Sequence, residues 1–205
     1  MTRLFPLPNV VLFPNVFLPL HIFEPRYRAM VKDALAADGI IGMVLLRGAS
    51  DARPMEIPAI YPVGCSGLIT HSECLPDGRY NIILRGLEKF RVIAEDAVDD
   101  ACPYRLARTE PIEESVESAD QLEPWRQRLE RLLDGRLAAL AAESGIPPGI
   151  ADGDVVNALS QYLALEPIEK QALLEQNGLV ARCQTLVELL EIRSMMERTP
   201  LTAIH

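Results

Sequence analysis

Five prolines lie among large apolar side chains between Leu4 and Tyr27, in the run LFPLPNVVLFPNVFLPLHIFEPRY, and no helix tolerates that density. Proline fixes its own φ, has no N–H to donate and pushes the residue before it towards extended geometry. Pro6, Pro8, Pro14 and Pro19 therefore leave only short strands and turns. Each Pro-Asn pair, Pro8-Asn9 and Pro14-Asn15, suits the centre of a tight turn, because asparagine accepts positive φ. The expectation is a hydrophobic hairpin with strands Val10–Phe13 and Val16–Ile22. Pro25 then opens a helix at its first position, with Glu24 near the positive end of the dipole, and that helix is expected to run to about Ala37.

The same run is apolar and follows Arg3, as an export signal would. Four interior prolines and an ending in Glu24 and Arg26, with no small-residue cleavage site, argue against one. No other window has the uninterrupted apolar length of a membrane span, so the chain is read as soluble and cytosolic. Its 205 residues, 49% hydrophobic and 24% charged, suit one large or two small globular domains. The net charge is −9, and both halves are acidic: 12 basic against 15 acidic residues up to Ser115, then 8 against 14. Cys65, Cys74, Cys102 and Cys183 are widely spaced in apolar contexts and read as reduced structural thiols.

Up to Pro111 the strand period dominates, punctuated about every ten residues. Ile40–Leu46 fits a buried strand, and Gly48–Pro54 a polar loop. From Ile57 to Thr70 a long strand is interrupted by Pro58, Pro62, Gly64 and Gly67, which implies the bulges that curve a sheet. Pro76-Asp77-Gly78 is a strong turn signal. Beyond it Tyr80, Ile82 and Leu84 alternate with Asn81, Ile83 and Arg85, Gly86 breaks the pattern, and Phe90–Ile93 resumes it, giving a hairpin with long coiled arms. Pro103–Pro111 supplies a further strand, and acidic Glu110–Asp120 reads as a linker. Beyond Gln121 the period is helical. Pro124 opens a helix carrying Trp125, Leu129, Leu132, Leu133, Arg136, Leu137 and Leu140, ended by Gly145–Gly149. A second begins at Asp154 as N-cap and runs through Leu163, a third starts at Pro167 and stops at Asn177-Gly178, and a fourth covers Leu179–Arg198. The reading is an α+β protein, a β-rich domain over 1–115 followed by a helical domain over 116–205.

The opening PLPNVVLFPNVFLPLHIFEPRYRAMV resembles the start of the LON amino-terminal domain, the substrate-binding domain of the Lon (La) ATP-dependent proteases. Pro62-Val63-Gly64, Asp77-Gly78-Arg79, Arg85-Gly86-Leu87 with Phe90-Arg91, and Leu173-Leu174-Glu175 followed by Arg182 are similar too, so the likeness spans essentially the whole chain. It implies a PUA-like β-barrel, with one helix after the first hairpin, followed by a four-helix bundle-like region. No Gly-x-x-x-x-Gly-Lys-Ser/Thr loop is present. None of the three lysines, Lys32, Lys89 and Lys170, sits in a context resembling the Lon peptidase dyad. The resemblance therefore implies a stand-alone LON-type domain without the ATPase and peptidase modules.

Cys65, Glu73, His71 and Cys74 contain zinc-competent ligands, but C-x5-H-x2-C lacks the second tight pair that marks structural zinc sites. Gly64-Cys65-Ser66-Gly67 has the letters of a nucleophile elbow in a strand context, where a bulge is the better reading. A hydrolase would need Ser66 and His71 to meet an acid in one pocket. Asp99-Asp100 and Glu113-Glu114 fall in polar linkers and read as solvated. His21, Glu24 and Arg26 converge at the helix start, where they can serve the helix terminus or form a recognition cluster.

The reading that follows is a non-enzymatic module, without cofactor or metal, that captures exposed apolar or unfolded polypeptide segments through an apolar groove or strand addition, as an adaptor to a protease or chaperone in trans. His21, Glu24, Arg26, Tyr27 and Arg85 are its candidate contacts. The alternative is an RNA-binding PUA-like protein resting on Arg79, Arg85, Lys89 and Arg91, with Lys89-Arg91 expected on an exposed face. Three lysines and two acidic halves argue against nucleic acid.

Overall fold

The computed structural model describes residues 1–48, 58–98, 102–115, 119–133 and 151–198. The chain divides into two compact units, Met1–Glu113 with Leu163–Glu175, and Glu114–Tyr162 with Gln176–His205.

The first unit holds one six-stranded mixed sheet: β1 (Thr2–Leu7), β2 (Phe17–Ile22), β3 (Ile40–Leu45), β4 (Val63–Cys74), β5 (Tyr80–Glu95) and β6 (Arg105–Pro111). Their order is β2-β5-β4-β3-β1-β6, and β6 also pairs with β5. Among the described strands, only β1 and β3 run parallel. The long β5 carries β2 along Tyr80–Arg85 and β6 along Phe90–Glu95, so the ladder β1-β3-β4-β5-β6 closes on itself while β2 stays outside the ring. Leu4, Val44, Phe90 and Ala107 form a core cluster. Helix α1 (Pro25–Leu35) starts with Pro25 at its first turn and Glu24 as N-cap, and it buries Tyr27, Met30, Val31 and Ala34.

The expected opening hairpin does not form. Thr2–Leu7 is the first strand, it pairs with β3 and β6, and Val10–Phe13 is irregular. Val11, Leu12 and Phe13 are buried all the same, at 4%, 1% and 0% exposure. Pro8 and Pro14 bracket this segment, and burying each large side chain contributes about 1.5–3 kcal/mol, so the run is an interior plug. Of the two asparagines, only Asn15 takes positive φ, at 60°. Its turn is seated on β5: Asn15 N–H donates to Gly86 O at 2.9 Å, and Gly86 N–H donates to Val16 O at 2.9 Å. A Cβ at Gly86 would collide with the Phe13 carbonyl, and one at Gly67, the ladder partner of Gly86, would lie 2.8 Å from Leu12 Cδ2.

β4 begins at Val63, after Pro62, and runs on to Cys74; Ile60 makes only a single bridge to Leu46. The expected bulges are there, with register shifts between Cys65 and Gly67 and between Ile69 and His71. Leu75, Pro76, Asp77 and Gly78 turn the chain, with Gly78 N–H on Leu75 O at 2.8 Å and Gly78 at φ 79°. None of the four cysteines is in a disulfide.

The second unit holds α2 (Ala119–Leu132), α3 (Asp152–Tyr162) and α5 (Leu179–Arg198), whereas α4 (Pro167–Leu174) belongs to the first. Two expected starts shift. Helix α2 begins at Ala119, leaving Pro124 inside it and unable to donate to Asp120 O. Helix α3 begins at Asp152, because Asp154 N–H already donates to Ala151 O at 2.9 Å. Arg136, Leu137, Leu140 and Gly145–Gly149 lie outside the described residues. Proline does open α4, where Glu166 and Glu169 form a reciprocal capping box. There buried Gln171 donates to Val63 O at 3.0 Å, fastening α4 to the head of β4. In the second unit, fully buried Arg182 donates to Asn157 Oδ1 at 2.6 Å and pairs with Glu114. Burial pushes the neighbouring Cys183 thiol up to about 11, with Asp152 adding to the shift.

Gly86→Ala should cost about 1–3 kcal/mol or more, because backbone rather than a flexible side chain stands in the way of the new methyl. Urea denaturation measures it, and a loss under about 0.5 kcal/mol would show that the turn is not seated as described. Arg182→Ala empties the space of a fully buried side chain and removes its bonds to Asn157 and Glu114, and should destabilise the second unit by about 2–5 kcal/mol, read as lost amide-exchange protection in α3 and α5.

Candidate functional site

β2 is an edge strand: among the described residues it pairs only with β5. The bond from Gly86 N–H to Val16 O makes 16 and 86 a hydrogen-bonded pair. By the alternation of an antiparallel ladder, Leu18, Leu20 and Ile22 bond to β5, and the backbone groups of Pro19 and His21 turn to the open edge. Pro19, with no N–H, occupies a position where β5 needs none. Side chains alternate as well. Phe17, Pro19 and His21 share the exposed face, and Phe23 continues the line, with Phe17 50% and Phe23 61% exposed.

A polar chain crosses the sheet beside this apolar strip. His21, Asn81 and Glu73 are direct ladder neighbours on β2, β5 and β4. Asn81 Nδ2 donates to Glu73 Oε2 at 2.9 Å, which turns its Oδ1 towards His21 Nδ1, 2.8 Å away. That makes Nδ1 the protonated nitrogen of the neutral ring and leaves Nε2 to accept from Arg79 Nη1 at 3.2 Å. Arg79 closes the chain on Asp77 at 2.6 Å. Its backbone N–H first, and then its guanidinium, hold the Asp77 carboxyl below the usual carboxylate range. The Phe23 ring lies nearly parallel to the imidazole, with centroids 6.4 Å apart.

The other expected contacts fall around this strip in different ways. Glu24 and Arg26 pair with each other at 2.9 Å, and both are part-exposed. Arg26 lies over the Tyr27 ring, 4.4 Å from its centroid. Tyr27 itself is 5% exposed and packs on Phe5, so it supports the surface from beneath. Burial raises its phenol pKa, and the nearby Arg26 opposes that. Arg85 is exposed at the other end of β2, opposite Phe17. The sequence reading missed Phe17, Phe23 and the partners of His21, although a strand over Val16–Ile22 already implies that residues two apart share a face.

Other candidates separate. Cys65 and Cys74 stand nine positions apart on one strand, about 30 Å, and cannot share a metal. Ser66 Oγ donates to Glu88 O at 3.1 Å and accepts from Glu88 N–H at 3.3 Å, so it stitches the bulge, while His71 is exposed five positions on. The hydrolase reading lacks its site. Lys89, expected on an exposed face, is 2% exposed. Two residues, Leu87 and Glu88, oppose Ser66 alone, which shifts the alternation of β5 by one. The basic strip therefore loses its only lysine. Glu114 is taken up by Arg182, and Asp99-Asp100 lie outside the described residues.

Residues 2–191 match the family described as the ATP-dependent protease La (LON) substrate-binding domain. Lon protease 2 of Myxococcus xanthus is 30% identical over 192 residues, covering 90% of this chain and 23% of the relative. Lon protease of Trichlorobacter lovleyi is 32% identical over 197 residues, covering 91% and 23%. The chain thus spans about a quarter of the length of these relatives. Among solved structures, the Lon N-terminal domain protein from Xanthomonas campestris superposes with a TM-score of 0.61 at 23% identity, covering 93% of this chain and 96% of that one. The N-terminal domain of the Mycobacterium avium complex Lon protease gives 0.67 at 15% identity, covering 93% and 97%. The fold is that of Lon N-terminal domains.

Imidazole nitrogen NMR of the neutral ring should show the Nδ1-protonated tautomer dominating. Asn81→Leu removes the acceptor and should shift the ring towards the Nε2-protonated form usual in free histidine; an unchanged tautomer in the variant would break the proposed hydrogen-bond chain.

Proposed function

The chain belongs to the LON substrate-binding domain family, and from that premise we propose that it is a non-enzymatic module that captures exposed apolar or unfolded polypeptide segments along the edge of β2. The observation that carries this reading is the exposed strip Phe17, Pro19, His21 and Phe23 on an edge strand. An extended client can lie against that edge, bond to the outward backbone groups of His21 and the Pro19 carbonyl, and rest alternate apolar side chains on the two phenyl rings. The polar chain from Glu73 to Asp77 holds the His21 ring rigid, so the surface loses little entropy on binding. Arg26, Glu24 and Arg85 flank the strip and supply both signs of charge, while Tyr27 braces it from below.

The closed ladder supports treating the first unit as a PUA-like barrel and β2 as an appendage free to engage a partner. No described helix is long and apolar enough to cross a membrane. A cytoplasmic adaptor that hands clients to a protease or chaperone in trans fits the family and these features. Burial of Lys89 weighs against the RNA reading, since the arginines left on β5 alternate with acidic and apolar neighbours.

Binding of a fluorescein-labelled, carboxymethylated unfolded protein tests the proposal. Phe23→Ser should weaken it about tenfold, and Phe17→Ser with Phe23→Ser should nearly abolish it, with thermal melting little changed because both rings are solvent-exposed. Equal affinity of the double variant and the parent would remove β2 as the capture surface.

A further inference from the structure

The bulge at Ser66 opens a cavity of about 300 Å³ in the first unit, on a different part of the sheet from the exposed strip. Its apolar wall includes Ile40, Leu87 and Phe90, and its polar wall includes Thr2, Thr109 and Arg3. The size is at the lower end of what small-ligand sites use, enough for one side-chain-sized group.

The polar groups point to the kind of ligand. Thr2 Oγ1 and Thr109 Oγ1 share one hydrogen bond at 2.7 Å, which leaves one hydroxyl proton of the pair to donate elsewhere. Arg3 is the stronger signal, with its side chain only 17% exposed. Its one hydrogen bond among the described residues runs from Nη1 to Asp38 Oδ1 at 2.9 Å. Asp38 Oδ1 also accepts from Ile40 N–H at 3.1 Å, so that oxygen is shared between two donors. The rest of the guanidinium fork is unused, and a largely buried arginine normally fills it with a carboxylate or backbone oxygens. Asp38 offsets the Arg3 charge, and both Asp38, with its side chain 56% exposed, and Glu88 face water that screens them, so the unused donors of Arg3 rather than net charge favour a carboxylate.

We propose that this cavity binds a carboxylate carried on a small apolar body: the carboxylate takes the unused donors of Arg3 and the spare threonine hydroxyl, and the apolar body lies against Leu87 and Phe90. Two sources carry that chemistry, the free C-terminal residue of a polypeptide and a small free monocarboxylic acid. The proposal does not rest on the β2 reading, and the two surfaces are assayed with different probes, so either can fail alone.

Amide NMR shifts of the full chain, followed at Thr2, Ile40, Leu87, Phe90 and Thr109, make the test. One arm uses 3-phenylpropionate against its amide; the other uses an N-acetylated pentapeptide ending in a free leucine against its C-terminal amide. The expected result is that at least one acid shifts these residues and its amide binds at least about tenfold more weakly. Arg3→Gln should cost the acid about tenfold or more, and Arg3→Lys should recover part of that, which a merely unfolded variant would not do. A response to the peptide acid assigns the site to chain ends, and a response to phenylpropionate alone assigns it to free acids. Silence from both acids, equal binding of the amides, or indifference to Arg3→Gln would overturn the proposal.

Discussion

The seating of the Pro14-Asn15 turn on Gly86 is the contact on which the first unit depends. β5 is the strand shared by β2, β4 and β6, and at its midpoint it must take a backbone carbonyl from Phe13 where any other residue would carry a side chain. Glycine on β5 and positive φ at Asn15 solve one steric problem from two sides. With the turn in place, Val11 to Phe13 are carried into the interior, and the next residues enter the sheet in the register that pairs Phe17 with Arg85. A slip of one residue would reverse both faces of β2, burying His21 and exposing Ile22. The exposed aromatic strip is therefore a consequence of how the plug and its turn are held.

The bulge at Ser66 plays the same part for the other half of β5. Before it, Ile82 and Leu84 face inward; after it, the alternation has shifted, and Lys89 and Phe90 are both buried. Ser66 makes that irregularity stable by giving both backbone groups of Glu88 a partner that the ladder no longer supplies. Phe90 can then join Leu4, Val44 and Ala107 in the core. The cavity follows from the same local geometry, since Ser66, Leu87, Glu88 and Phe90 all line it.

Much of this was legible in the sequence where a residue's own backbone preference decides the outcome. Pro25 and Pro167 start helices, Asp77-Gly78 turns the chain, and the alternation from Tyr80 to Leu84 matches the ladder. The opening hairpin fails where it is expected because apolar runs between prolines look alike whether they pair as strands or fill an interior, and only the partner at Gly86 distinguishes them. Lys89 was misplaced for a related reason: a glycine announces a bulge but not how many residues it inserts, and one residue reverses every later side chain. Pro124 within α2 shows that a proline marks a helix start only when nothing upstream already supports the turn. Of the candidate site, His21, Glu24, Arg26, Tyr27 and Arg85 stand out in the sequence as the most motif-rich surface candidates, and of these Tyr27 is buried. Arg79, Asn81 and Glu73 could not be tied to His21, because their pairing depends on the register of three strands.

Pro19 sets a limit on what the edge of β2 can do. An edge strand with a full row of donors and acceptors invites unlimited pairing with other chains, and proline is one of the devices that blunts it. Here it deletes a donor at the centre of a six-residue strand, so an added strand cannot form a continuous ladder and must draw on side-chain contacts with Phe17 and Phe23. Backbone bonding without sequence information then contributes little, and affinity comes to depend on apolar side chains two residues apart in the client. A folded protein hides such pairs and an unfolded one displays them, so under the proposed capture role the same proline that protects the edge from aggregation would also bias it towards unfolded chains. Weak central pairing further implies fast release, the property that the proposed adaptor role would need.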